Sequence, residues 1–320
     1  MTKKMLVSTV MIVCALSLTG CGKADYSMDK AKEYEGKVVC ENDYQAYINE
    51  KNEVEILDFN GKSEQITGLS DIVQISGDEN ILMTLNEKGK IQLYSFDEHK
   101  VIDNVADYFA ADKYEFELGG TMLAAEKQWN ENLTNISRIK QLFCDYDSAK
   151  KYFYAKNDSD DIICDGCNWS DEVKNECKKW KDITDFTSNG TDAMSLNDDG
   201  TVNITAGIEL DNKDEWTDIK DIESGFSFFA LKNDGRVISS GYEAECLVSE
   251  WTDIVQLSVA VNTTAGLQRD GTVKVACAID MGQSEAQNWK DIVYVKAAYD
   301  YIMGVTKEGK FVSTKKNEIE

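Results

Sequence analysis

The chain contains no proline and one histidine, and its cations are few. Without proline there is no PxxP ligand and no stiff Pro-rich spacer. With His99 alone, a His-rich metal site is out, and imidazole acid–base chemistry rests on one side chain. That residue stands in Phe96-Asp97-Glu98-His99-Lys100, a polar stretch that reads as a loop carrying a surface histidine. Lys plus Arg total 34 against 58 Asp plus Glu in 320 residues, a net charge of −24. Such a surface repels a phosphate backbone, which excludes nucleic acid as a partner. G-x-S-x-G, H-E-x-x-H, GxGxxG and GxxxxGKS/T are all missing, so hydrolase, zinc-protease, dinucleotide and P-loop sites find no support. What is there suits a globular protein: 42% of the residues are hydrophobic, enough for a core. Acids are so many that chance carboxylate pairs single out no catalytic residue. Asp158-Ser159-Asp160-Asp161 comes nearest to a calcium loop, but it lacks the loop's Gly and terminal Glu and reads as a solvated turn. No catalytic residue, metal or cofactor is therefore expected.

The N-terminus reads as an address. Lys3 and Lys4 precede an apolar run from Met5 to Leu18, too short for the roughly twenty residues of a membrane-spanning helix. The run ends in Leu18-Thr19-Gly20-Cys21, which resembles the lipobox of bacterial lipoproteins. That resemblance implies a signal peptide over 1–20, a lipidated Cys21, and anchoring to the outer face of a bacterial cell membrane. Residues 21–36 are polar and charged and read as a tether, with the folded domain over 37–320. An anionic body does not bind an anionic membrane by itself, so the lipid alone holds it there.

A repeat organises the rest. Trp180-Lys181-Asp182-Ile183, Trp216-Thr217-Asp218-Ile219, Trp251-Thr252-Asp253-Ile254 and Trp289-Lys290-Asp291-Ile292 share one phrase at intervals of 36, 35 and 38 residues. A second phrase follows each: Asp199-Gly200-Thr201-Val202, Asp234-Gly235-Arg236-Val237, Asp270-Gly271-Thr272-Val273 and Glu308-Gly309-Lys310-Phe311. A fixed period of this size marks a repeat architecture. Fainter copies lie at Lys37 to Val54 and Asp71 to Ile91, with the weakest at Val101 to Ala125 and Ile139 to Cys164. Within a unit, Ile254 to Val259 and Thr272 to Ala276 alternate as strands do, and the Asp-Gly pair makes the tight turn between strands. The repeating Trp residues are expected to pack between neighbouring sheets, and the repeating glycines to serve the turns.

The pattern of W-K/T-D-I followed by L-x-x-D-G-T/R-V resembles bacterial proteins with regulator-of-chromosome-condensation repeats. The resemblance is clearest from Trp180 to Ser313. It implies an all-β protein, a β-propeller of seven or eight short blades of about 35–40 residues each. Family units often carry a Gly, two residues and a His; here Gly225 keeps the Gly, while Phe228, Thr263 and Tyr301 stand where the His would be. The founding eukaryotic member is a nuclear nucleotide-exchange factor. That role is not carried over to an exported acidic chain, and only the fold and a general role in recognition are.

Cys40, Cys144, Cys164, Cys167, Cys177, Cys246 and Cys277 remain after the signal, an odd number that leaves at least one thiol unpaired. Cys164-Asp165-Gly166-Cys167 with Cys177 reads as a disulfide-pinned loop or as plain thiols, since no fourth ligand completes a zinc site. The insertion from Asp165 to Lys179 breaks the repeat with no evident core role. It contains a helix signal from Ser170 to Cys177, and Trp169 is a candidate partner contact. The expected function is non-catalytic recognition of a protein or carbohydrate at the cell envelope. The rival is a carboxylate-dependent polysaccharide hydrolase or lyase with its site on the propeller axis.

Overall fold

The computed structural model describes residues 28–41, 43–59, 62–78, 81–103, 136–144, 151–157, 162–165, 170–205, 210, 213–240 and 246–315. The signal segment, Cys21, Cys167 and Trp169 lie outside these. The described strands make seven antiparallel sheets, each ordered as it runs in sequence. The first holds β1 (Val38–Cys40), β2 (Gln45–Ile48), β3 (Val54–Leu57) and β4 (Ser63–Gln65). The second holds β5 (Ile72–Asp78), β6 (Ile81–Asn86), β7 (Ile91–Ser95) and β8 (Lys100–Ile102). The third holds β9 (Ile136–Cys144), β10 (Lys151–Asn157) and β11 (Ile162–Asp165). In the fourth are β12 (Ile183–Ser188), β13 (Ala193–Asn197) and β14 (Val202–Ile204), and in the fifth β15 (Ile219–Ser224), β16 (Phe228–Lys232) and β17 (Val237–Ser239). The sixth has β18 (Ile254–Val259), β19 (Thr263–Gln268) and β20 (Val273–Cys277), and the seventh β21 (Ile292–Ala297), β22 (Ile302–Thr306) and β23 (Phe311–Ser313).

The first strand of every sheet contacts the first strands of the sheets on either side, and β21 meets β1. The sheets are thus blades of a closed ring, a β-propeller with its first strands around the axis. Because β5 lies directly against β9, the described ring counts seven blades. The weak unit expected from Val101 adds only β8 to the second blade, and residues 104–125 lie outside the described ones.

The fourth to seventh blades are built from the two recurring phrases, and the second blade from a copy of them without Trp. The Asp of the first phrase is left-handed wherever it occurs, with φ of 56° at Asp71 and Asp182, 60° at Asp218, and 58° at Asp253 and Asp291. Asp is among the few residues that take this conformation at modest cost. The turn aims its carbonyl at the second phrase of the same blade. Asn233 N–H donates to Asp218 O at 2.9 Å, Arg269 N–H to Asp253 O at 2.9 Å, and Lys307 N–H to Asp291 O at 2.8 Å. The next residue, Ile, reaches the preceding blade. Ile219 N–H donates to Gly200 O at 3.0 Å, Ile254 N–H to Gly235 O at 3.0 Å, and Ile292 N–H to Gly271 O at 3.1 Å. In the first blade Asn52, with φ of 60°, stands in for the turn Gly and accepts from Ile72 N–H at 3.0 Å.

Tryptophan fills the space behind these bonds. Trp180, Trp216 and Trp251 are buried, and Trp289 is half-buried. Trp251 packs with Phe229, Leu231 and Val237 of the fifth blade and Ile254 and Leu257 of the sixth. Its ring lies flat on β19, where a Cβ on Gly266 would stand 2.8 Å from it. Trp289 meets Gly304 of β22 in the same way, at 2.9 Å. Glycine in mid-strand is here the seat of an aromatic ring.

Helix α1 (Met28–Lys32) changes the reading of the N-terminal segment. The tether expected through residue 36 is helical from Met28 and packed at Ala31. Ala31 is buried, and the Tyr34 ring lies 5.6 Å from that of Tyr294. Gly36, at φ +68°, presents its carbonyl to Ile75 N–H of β5 at 2.7 Å. The charged composition of this stretch masked two apolar anchors, Ala31 and Tyr34.

Two substitutions separate the turn's needs. A Cβ added at Gly309, where φ is +77°, would meet nothing within 4 Å, whereas one on Gly235 would meet Ile254 N at 3.1 Å. Gly309→Ala should cost about 1 kcal/mol for the left-handed backbone alone, and Gly235→Ala on the order of 2–3 kcal/mol because the inter-blade contact must also give. Chemical denaturation of the two variants measures this, and equal losses would contradict the inter-blade role. Trp251→Ala should cost on the order of 3–5 kcal/mol. A melting temperature unchanged from the parent would contradict the packing described for that ring.

Candidate functional site

The ring has two unlike ends. First strands begin, and Asp-Gly turns lie, at one end, the turn face. The loops between first and second strands lie at the other, the loop face. Helix α1 contacts β18 and β21, and its following turn bonds β5, so the N-terminal segment sits at the axial mouth on the turn face. Lys220 of β15 lies near this mouth, where burial lowers its pKa while the Asp221 carboxylate opposes the shift. Along the axis the first strands are tied by side chains. Gln256 bonds both Val295 backbone groups, at 2.8 and 2.9 Å, and the Ser258 hydroxyl accepts from Ala297 N–H at 3.0 Å. The Thr187 and Ser224 hydroxyls bond each other at 2.7 Å.

On the loop face, apolar side chains stand exposed. Phe226 is 70% exposed, Ile279 59%, Met281 48% and Tyr299 44%. They come from adjoining loops of the fifth, sixth and seventh blades. The backbone of Gly225, beside Phe226, comes so close to the loop of β18–β19 that an added Cβ would stand 2.7 Å from Ala260 O. Beneath the other three lie two buried amides. Asn262 donates to Ile279 O at 2.8 Å and to Tyr299 O at 3.2 Å, and accepts from Ile279 N–H at 2.8 Å. Gln283, fully buried, donates to Tyr299 O at 3.1 Å and Thr263 Oγ1 at 3.2 Å, and accepts from Met281 N–H. Both amides thus spend their hydrogen bonds on holding the loops.

The three residues at the family's His position form part of this floor. Phe228, Thr263 and Tyr301 are all 0% exposed. Thr263 donates to Tyr299 O at 3.2 Å, and Tyr301 OH donates to Glu41 O at 2.8 Å, tying the seventh blade to the first. Lys315 lies over the Tyr301 and Phe59 rings and pairs with Asp300 at 3.0 Å.

The insertion holds helix α2 (Asp171–Cys177), capped by Ser170, whose hydroxyl accepts from Val173 N–H at 3.2 Å. Its role differs from the one expected. Val173 and Cys177 are buried against Trp180, Ile183 and Phe186, so the helix belongs to the core of the fourth blade. Beside it, at the rim, an open cleft of about 1090 Å³ runs between the fourth and fifth blades. Trp180 and Trp216 form its floor, and Lys179, Asp182, Asp199 and Lys213 are among its walls.

Cys40, Cys177 and Cys277 are free thiols. Cys177 is therefore no part of a disulfide-pinned loop; its place on the inner side of α2 turns it into the blade core. Among the described residues no group of three or more His, Cys, Asp or Glu is placed to hold a metal ion. Glu55, Asp103, Asp199, Asp234 and Asp280 are each held below the usual carboxylate range by hydrogen bonds. A general acid needs the opposite shift.

No family model matches the chain, and no curated protein does either. Solved structures do. Yeast RCC1 (Prp20), in its structure bound to Kap60, is similar with a TM-score of 0.55 and 10% identity, over 96% of this chain and 86% of that one. Human WBSCR16 is similar with a TM-score of 0.51 and 10% identity, over 88% and 87%. At such identity the likeness speaks for the fold, an RCC1-type β-propeller. Sequence reasoning missed α1 and the apolar loop cluster. The one local signal for the latter was an aromatic or aliphatic residue inside a turn-like stretch, as in Gly225-Phe226-Ser227 and Asp280-Met281-Gly282.

Thiol reactivity checks the packing of α2. Burial pushes the Cys177 thiol up to about 12, whereas Cys277 is only partly covered. Alkylation of the native protein at pH 8, read by peptide mapping, should label Cys277 well before Cys177. Equal rates would contradict the buried face of the helix.

Proposed function

We propose that this protein is a lipid-anchored, extracytoplasmic β-propeller that recognises a protein partner at the bacterial cell surface and catalyses no reaction. The observation that carries the recognition reading is the cluster of exposed apolar side chains on the loop face, set on a floor of fully bonded amides. Monomeric surfaces rarely gather apolar groups in one place without a binding use. Phe226, Ile279 and Met281 offer side chains without hydrogen-bonding groups, which suits a protein surface better than a sugar. The solved yeast propeller is itself bound to another protein, Kap60, and protein binding is the use this reading carries across.

The anchoring half of the reading rests on Leu18-Thr19-Gly20-Cys21 after a short apolar run. Cys21→Ser should move the protein from the membrane to the soluble or secreted fraction. Persistence of the variant in the detergent phase after phase separation would overturn the lipid anchor. The hydrolase or lyase alternative would need an axial pair of carboxylates, one with a raised pKa.

A further inference from the structure

We propose that the loop face of the fifth, sixth and seventh blades is the docking surface, and that its occupant is a protein segment presenting apolar side chains between basic ones. This deepens the protein-recognition reading and rests on it. Four side chains define the surface: Phe226, Ile279, Met281 and Tyr299. They are four of the six large hydrophobics that stand exposed among the described residues, the others being Val73 and Leu247. Their gathering is a product of the fold. Phe226 is in the first loop of the fifth blade, Ile279 and Met281 follow the last strand of the sixth, and Tyr299 is in the first loop of the seventh.

The surface is organised in advance. Asn262 and Gln283 bond the backbone on both sides of the seam between the sixth and seventh blades, so Ile279, Met281 and Tyr299 are held by their main chain and not by their side chains. Asn189 performs the same service for Phe226, donating to its carbonyl at 3.1 Å. A partner therefore meets side chains on fixed loops and loses little further loop entropy there. Met adapts its shape to the partner's apolar groups, and Phe and Tyr supply area.

Charge chooses the partner's flanks. Asp280 lies between Ile279 and Met281, and its bonds to Ser284 and to the Gly282 and Ser284 amides hold its carboxyl below the usual range. The chain as a whole carries −24. A second copy would bring another −24 to the interface, so self-association is opposed, while Lys or Arg beside the apolar groups is favoured. Position agrees with this. Helix α1 is at the turn face, so an anchor seven residues earlier holds that end toward the bilayer and leaves the loop face outward.

The test uses the full-length protein in detergent and three fluorescein-labelled peptides of equal length: one alternating Leu and Phe with Lys, one with Glu in place of Lys, one with Ser in place of Leu and Phe. Fluorescence anisotropy reads the affinity. The Lys-containing apolar peptide should bind, and the other two should bind at least tenfold more weakly. The double variant Phe226→Ser/Ile279→Ser keeps the charge and should lose at least tenfold, with circular dichroism and melting temperature showing that it is folded. The control Val73→Ser/Leu247→Ser should bind like the parent. Equal binding by the first double variant, or by the Ser peptide, would overturn the proposal, since the attraction would then be diffuse charge. Binding that emerges only when the chain is cut after Lys315 would also overturn it, because the occupant would be the chain's own last residues. No binding of the Lys-containing peptide overturns this surface chemistry but leaves the anchored propeller to the Cys21→Ser fractionation.

Discussion

The structure depends on one hydrogen bond repeated at four of the blade junctions, from the Ile that opens a blade to the turn carbonyl of the blade before it. Each such bond is worth only about 1 kcal/mol net, less than the roughly 3–5 kcal/mol at stake in a buried Trp. The two have different tasks. Where a repeat Trp is present it supplies more adhesion between blades than this bond does, and the peptide bond sets their register. Register is possible only because two unusual backbone conformations meet: a left-handed Asp before the Ile and a left-handed Gly in the turn. Gly is needed twice over at Gly200 and Gly235, for the positive φ and for the approach of the next blade's backbone.

That geometry explains what could be read from the amino-acid order. From the fourth blade to the seventh, Trp, Asp, Ile and the turn's acid and Gly perform the same tasks, so they recur in phase and the repeat is plain from Trp180 onward. In the first blade Asn52 replaces the turn Gly, and no Trp is present, which is why the early units are faint. The candidate surface left no such trace. Phe226, Ile279 with Met281, and Tyr299 belong to three different loops, and only the ring brings those loops to one end of adjoining blades. The insertion misled for a related reason. Val173 and Cys177 share one side of α2, but a helix this short shows two buried positions, too few to distinguish a core face from a surface one. Cys177 likewise looked like a partner for Cys164 and Cys167 by spacing, while its side chain turns to Trp180.

The two ends of the propeller divide its work. At the turn face, backbone bonds, Asp-Gly turns and helix α1 concentrate, and Tyr34 and Gly36 pin the entering chain to β21 and β5. At the loop face, buried Asn, Gln, Thr and Tyr side chains bond the loops from below and leave apolar groups above. Phe228, Thr263 and Tyr301 are buried, and all three reinforce the loop face from within. One end receives the chain from its N-terminus, and the other carries the exposed apolar side chains.

The central claim is this polarity. If Cys21 carries the proposed lipid, Met28 is seven Cα steps from the anchor, a reach of at most about 25 Å. Energy transfer from a donor dye on the protein to acceptor-labelled lipid headgroups, with the lipidated protein in vesicles, measures it directly. A donor at Asn233, on a turn, should transfer much more strongly than one at Ser227, beside Phe226. Equal transfer from the two positions, or stronger transfer from Ser227, would contradict the account.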